Sequence, residues 1–406
     1  MACVSWRLAP ERRPRYSVPV KISASKILTT HAGSLPRPKA LTELHAAKAQ
    51  GAAVDEGELS RAGEEATRAV IAKQIEAGVD VVNNGEVGRE SFFTYVRHRM
   101  SGFSGQSSRP IMADLVEYPS YLQLLMAQLA AGANVSLLTA PQATGEVRYL
   151  GATPIEAECE QLRRLLALHP GAFTEAFVSS PSPGIVAAAM ENAYYDDLPA
   201  YVNAVAEALQ TEYEAIARAG FVLQIDAPDL AMERHTLFHG KPLSEFVVFL
   251  RTVIGALNRA IANVPRDRIR LHVCWGNYEG PHDLDVPLHE IWSEIGKAAV
   301  GAFMLSMANP RHAHEVRLFD KGILPPGAIL LPGVIDTTTN YIEHPEVVAD
   351  RIERAAKAIG DPHRVIASTD CGFETSAGFA TVASDIVWAK LRALSQGAAL
   401  ATRRLI

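Results

Sequence analysis

The chain has 406 residues, 48% of them hydrophobic and 21% charged, with a formal net charge of -6. That length buries a sizeable core as one large barrel or two average domains; the mildly acidic balance gives no footprint for nucleic acid, and no apolar run is long enough to span a bilayer. The four cysteines (Cys3, Cys159, Cys274 and Cys371) are too sparse for a disulfide scaffold and fit a reducing, cytoplasmic setting.

Residues 1–26 read as an N-terminal extension. Arg7, Arg12, Arg13, Arg15, Lys21 and Lys26 stand there against one acid, Glu11, and no apolar core of a secretory signal is present. A flexible or loosely docked extension is expected, with organellar targeting the other reading.

From residue 27 onward, short apolar segments that end in small or polar turn residues alternate with helical patterns. The segments are 27–33, 79–85, 172–180, 222–228, 269–276, 302–309, 329–335 and 365–372; helix-like stretches occupy 64–77, 198–219, 243–262, 288–300 and 345–359. Strands alternating with helices imply a parallel sheet, and eight of them imply a (β/α)8 TIM barrel spanning 27–406. An insertion at about 89–155 interrupts the repeat after the second strand. It carries an expected hairpin around 139–150 and can close over the rim.

In such barrels, reaction sites lie at the carboxyl ends of the strands. The fifth segment ends in His272 and Cys274, which as alternate residues of a strand face the same way. The eighth ends in Cys371. A lone His or Cys at a strand end is commonly a satisfied core residue; three converging on one rim make a borderline-soft donor set that suits zinc and leaves a position for substrate. The first segment leads into His31 and Ser34, the second into Glu86 and the fourth ends with Asp226, two acids and a hydroxyl fit to hold an ammonium group or a metal-bound substrate. Asp336, after the seventh strand, reads as a proton handler. His312 and His314 open a helix-like stretch where alternate side chains diverge, which leaves His312 and Glu315 as rim groups. Tyr95 and Trp275 read as pocket lining.

Seven stretches taken together, 29–38, 84–97, 224–229, 272–281, 308–315, 332–335 and 368–372, resemble the cobalamin-independent methionine synthase family. The resemblance is to its short single-barrel members, which correspond to the catalytic half of the long enzymes and are related to epoxyalkane:coenzyme M transferases. It implies that His272, Cys274 and Cys371 are zinc ligands and that Ser34, Glu86 and Asp226 hold the amino and carboxyl groups of homocysteine. Two departures stand out. Ser306 occupies the place of a family carboxylate ligand, for which Glu279 or Asp336 is a substitute, and the family's Asp-Glu-Pro-Ala pattern becomes Asp226-Ala227-Pro228.

The expected function is therefore zinc-dependent alkyl transfer to a small thiol, with a methyl-folate or methyl-sulfonium donor. The partners are then a thiol and an alkyl donor, and a homo-oligomer is compatible with the reading. Thiol addition to an epoxide is the alternative within the same chemistry; a metal- or thiol-binding protein without turnover is the alternative of another class. A porphyrin decarboxylase of the related barrels is disfavoured, because the first strand lacks an Arg-rich motif for a polycarboxylate.

Overall fold

A computed structural model describes residues 21–129, 134–136 and 140–406. Most of the expected extension, residues 1–20, lies outside the described residues, as does the start of the expected hairpin. Within 21–26, Ser23 is buried; its hydroxyl donates to the Val365 carbonyl at 2.6 Å and accepts from the Leu28 N–H at 3.0 Å.

Eight parallel strands form the barrel: β1 Leu28–Thr29, β2 Val81–Val82, β3 Glu175–Pro181, β4 Val222–Asp226, β5 Ile269–Val273, β6 Ala302–Leu305, β7 Ile329–Ile335 and β8 Ile366–Thr369. Seven lie within the apolar segments, and β3 runs one residue past the end of its own. Every strand pairs with its neighbour in sequence from β2 round to β8, and β8 returns to β1. The remaining seam, β1 against β2, is joined by the Asp80 N–H to the Thr29 carbonyl at 3.2 Å and by the Thr30 hydroxyl to the Val81 carbonyl at 3.0 Å. The sheet is a nearly closed (β/α)8 barrel.

Parallel neighbours require crossovers, and helices supply them. Helices α1 Lys39–Ala49 and α2 Glu56–Glu76 connect β1 to β2; α3 Ala113–Glu117, α4 Pro119–Leu129 and α5 Thr153–Leu166 follow β2. Then come α6 Pro183–Ala189, α7 Leu198–Arg218, α8 Leu243–Ala260, α9 Leu288–Ile295, α10 Pro345–Ile359 and α11 Ser384–Leu405. A short 3-10 turn, Glu315–Lys321, takes the helix's place after β6. Local chemistry sets the ends. Asp197 accepts from the Ala200 N–H at 2.7 Å to start α7, and Gly360 at φ 73° stops α10 in the left-handed conformation that glycine takes without strain. In α8, Phe246, Phe249, Leu250, Val253, Ile254 and Leu257 recur at three- and four-residue spacing, and that face is buried.

A polar layer crosses the barrel interior below the rim. The buried Arg270 guanidinium stacks 3.6 Å from the centre of the Phe177 ring and donates to Gln224 Oε1 at 2.8 Å and to the His31 carbonyl at 3.1 Å. His31 belongs to this layer. Its Nε2 lies 2.8 Å from Gln74 Oε1, its Nδ1 accepts from the Gly33 N–H, and burial lowers its pKa to about 4.

The insertion after β2 is tied down by ionic and aromatic contacts. Glu212 of α7 accepts from the Tyr95 hydroxyl, from the Tyr149 hydroxyl at 2.6 Å and from Arg99 at 3.0 Å. The guanidinium groups of Arg89 and Arg99 lie 4.2 Å and 4.5 Å from the Tyr95 ring centre. Residues 140–150 do not fold back on themselves as expected. Gln142–Ala143 pairs antiparallel with Phe103–Ser104, and Tyr149 bridges to Met100, so the segment's partner is the chain entering the insertion.

Candidate metal centre and its cavity

Strand register builds the centre. Asp226, the last residue of β4, pairs with His272 of β5; Cys274 follows two residues on, on the same face, and Cys371 stands just past β8. The donor atoms of His272, Cys274 and Cys371 lie within 4.8 Å of one another, and all three residues are buried. The sulfurs of Cys274 and Cys371 are 3.9 Å apart, well beyond a disulfide bond. Two thiolates each about 2.3 Å from a tetrahedral ion stand about 3.8 Å apart, so the sulfur spacing and the donor chemistry both fit zinc.

Electrostatics set the two thiols apart. The contact with Cys371, assisted by His272, holds the Cys274 thiol well below its ordinary range despite burial; the same contact and burial push Cys371 well above it. Burial opposes a charge on His272, but Asp226 and Cys274 outweigh it and raise its pKa to about 10. His272 Nδ1 lies 2.9 Å from Asp226 Oδ1 and Nε2 lies 3.1 Å from the Asp370 carbonyl. A carbonyl or carboxylate on one ring nitrogen is the support that orients a metal-binding imidazole.

These donors form the floor of a cavity of about 190 Å³. Ser34, Glu86 and Asp226 line it as well, so the structure brings together all six residues expected to bind metal and amino acid. Glu86 sits at φ 56°, an uncommon conformation for a non-glycine residue. Its Oε1 accepts from Ser179 at 2.7 Å, while buried Oε2 has no hydrogen-bond partner among the described residues. Burial, followed by the charge of Asp226, raises its pKa to about 7. Gly372 permits the approach of Ser34: a Cβ there would lie 1.9 Å from the Ser34 hydroxyl oxygen.

The remaining walls are largely apolar. Phe92, Ile111, Met112, Leu115 and Leu125 come from the insertion, with Met232 from the loop after β4. Arg109 also lines the cavity, but its guanidinium is committed to Glu233. Phe92 lies in the 84–97 stretch already singled out; the other insertion side chains escaped the sequence reading because insertion residues carry no fixed spacing from the barrel strands. Ser179 at the end of β3 and Asn277 after β5 were legible only as strand-end polar groups.

Several expected site residues lie elsewhere. His31 and Tyr95 do not line the cavity: the interior polar layer takes the first and the Glu212 network the second. Trp275 lies under the rim, donating to the Val286 carbonyl at 2.8 Å and stacking on His312 with ring centres 3.8 Å apart. His312 is buried between Glu315 at 2.9 Å and Asp285 at 2.8 Å, which raise its pKa to about 9 against burial; His314 is exposed, so the two diverge as expected. Asp336 Oδ1 accepts the N–H groups of Thr338 and Thr339, both at 2.9 Å. Trp275, His312 and Asp336 line a second cavity of about 20 Å³ that adjoins Cys371. Glu279 is exposed and lines neither cavity, which removes it as a substitute ligand.

A parallel barrel with a donor cluster and an acid-lined cavity at its carboxyl-end rim defines a class of barrel whose site is placed for chemistry on a small molecule. Residues 181–389 match the model of the cobalamin-independent synthase catalytic domain, and the chain belongs to that family. Curated relatives include a methionine synthase of Sulfolobus acidocaldarius, 24% identical over 353 residues and covering 85% of each chain. Another, from Saccharolobus islandicus, is 25% identical over 349 residues, covering 85% of this chain and 88% of the relative. Among solved structures, a B12-independent methionine synthase from a Shewanella species in complex with selenomethionine superposes with a TM-score of 0.70 at 21% identity, covering 93% of this chain and 98% of that one. A putative vitamin-B12 independent methionine synthase from Listeria monocytogenes gives 0.62 at 20% identity, covering 92% and 98%. At these identities the two structures speak to fold. Among the described residues, no helix is long and apolar enough to cross a membrane.

Proposed function

We propose that the chain is a zinc-dependent transferase that moves a methyl group from a small donor to the thiol of homocysteine or a similar aminothiol. The observation that carries this reading is the convergence of His272, Cys274 and Cys371 on the floor of the cavity that Glu86 and Asp226 line. These three residues would hold the ion, which when bound supplies a Lewis acid that keeps an incoming sulfur as thiolate at neutral pH.

The chain's own side chains do the rest by position. Asp226 Oδ1 is engaged by His272 and by Gln224 Nε2 at 2.7 Å, which directs its other oxygen to substrate. That oxygen and the unpartnered Oε2 of Glu86 receive the ammonium group, and Ser34 presents a hydroxyl to the carboxylate. These contacts orient the sulfur rather than react with it. The apolar walls exclude water from the transfer and favour a donor with an uncharged face. A sulfonate-bearing thiol finds no free cation among the described lining residues, Arg109 being paired with Glu233, so the epoxide alternative gains no support. A methyl-folate and a methyl-sulfonium remain the donors to test.

The test is thioether formation, followed by mass spectrometry on zinc-loaded protein offered homocysteine with each donor. Methionine formed from either donor supports the reading. Tight thiol binding with no product from any donor would leave a binding protein.

A further inference from the structure

Ser306 and Cys274 each stand one residue past the last register pair of β5 and β6, Val273 with Leu305, so they sit at neighbouring strand ends. A carboxylate ligand stands here in the family that the sequence resembles. A serine is two heavy atoms shorter, and next to it lies the cavity of about 20 Å³, lined by Ser306, Asp336, Asn309, Asn277, His312 and Cys371 among others. That volume accommodates one water, which needs two to four polar partners.

The hydrogen-bond inventory limits which partners are available. His312 commits both ring nitrogens to Asp285 and Glu315, and His282 commits its own to Asp285 and the Tyr278 carbonyl. Asn277 donates to the Gly372 carbonyl and accepts from Thr337. The Asp370 carboxylate accepts the N–H groups of Met307, Ala308 and Asn309. Two acceptors with spare capacity come from different strand ends. The Ser306 hydroxyl donates to the Asp370 carbonyl at 2.9 Å, leaving its lone pairs, and Asp336 Oδ2 has only a 3.4 Å contact with the Thr338 hydroxyl.

We propose that this small cavity is a fixed-water site in which one water donates to Ser306 Oγ and Asp336 Oδ2 and turns its oxygen lone pair to the metal centre. The water supplies the neutral oxygen donor that stands in for the family's carboxylate. Asp336 is then a positioning residue acting through that water, which explains a buried carboxylate near the centre yet outside its donor set. Only the contact with the metal rests on the proposed zinc reading; the water's two donated hydrogen bonds do not. An oxygen donor without charge leaves the ion more electron-poor, so a bound thiol ionises more readily and its thiolate calls for a more activated alkyl donor.

The test is a crystal structure of the full chain at a resolution that reveals waters, metal-free and after zinc soaking, together with zinc release to a chelator from a Ser306→Glu variant. A water within about 3.2 Å of both Ser306 Oγ and Asp336 Oδ2 in both crystals is expected. In the natively folded variant, zinc release should slow by about 10-fold or more. No water touching these atoms overturns the site, and unchanged zinc release from a natively folded variant overturns its place beside the metal. Zinc failing to enter crystals that do hold the water overturns the donor role and counts against the zinc reading itself.

Discussion

Asp226 Oδ1 lies 2.9 Å from His272 Nδ1, so one residue both touches the donor cluster and lines the cavity above it. Removing its charge should act on both. Asp226→Asn is expected to weaken zinc retention by about 10- to 100-fold, the usual cost of losing a group that orients a metal-binding histidine. It should also raise KM for the aminothiol. Chelator competition and steady-state kinetics measure the two effects separately, and a variant altered in neither contradicts the dual role.

In the proposed reading, Glu86 sets substrate binding against stability. Its pKa rises from 4.5 to about 7 on folding, chiefly through burial, so the folded protein holds that proton more tightly than the unfolded chain. The carboxylate therefore costs stability progressively as pH rises from 4.5 through 7, on the order of 1–3 kcal/mol once it is ionised. Glu86→Gln should raise the Tm of the ligand-free protein at pH 8, leave it nearly unchanged at pH 4, and raise KM for an aminothiol about 10-fold or more. An equal Tm shift at both pH values would contradict the account.

His312 has the opposite sign. Its pKa rises from 6.5 to about 9 between Asp285 and Glu315, so its stabilisation is fully present below pH 6.5 and is lost as pH rises through 9. His312→Gln should cost on the order of 2–3 kcal/mol at pH 6, with the difference narrowing above pH 9. Denaturant unfolding at the two pH values checks it; a pH-independent loss would point to packing against Trp275 instead.

The barrel and the donor cluster were legible because parallel strands buried on both faces read as plain apolar runs, and all eight strands coincide with such runs, β3 passing the end of its own by one residue. His272, Cys274, Cys371, Ser34, Glu86 and Asp226 share the signal of a polar side chain at a strand's carboxyl end. That signal misled for His31, because this barrel has a polar interior layer around Arg270 that claims a strand-end histidine. Tyr95, expected as pocket lining, is drawn away because Glu212, more than a hundred residues along the chain, decides where its hydroxyl goes. Helices α1, α3, α4, α5, α6 and α11 escaped the pattern reading. Those of the insertion, α4 among them, also carry cavity wall, and tertiary packing rather than periodicity sets which residues those are.

Leu115 tests the insertion as a roof. It is 1% exposed, packs with Leu125 and Tyr278, and lines the cavity. Leu115→Ala should raise KM for the alkyl donor several-fold and lower stability by about 2–4 kcal/mol, while zinc content stays at the wild-type level. Loss of zinc in this variant would mean that the roof also holds the donor cluster in place.

The central claim is tested most directly by bound metal, measured by elemental analysis on protein purified without added zinc, beside Cys274→Ser and Cys371→Ser variants. About one zinc per chain, lost in both natively folded variants, is the predicted result. A wild-type protein that is correctly folded, holds no metal and takes up none when zinc is added would contradict the account.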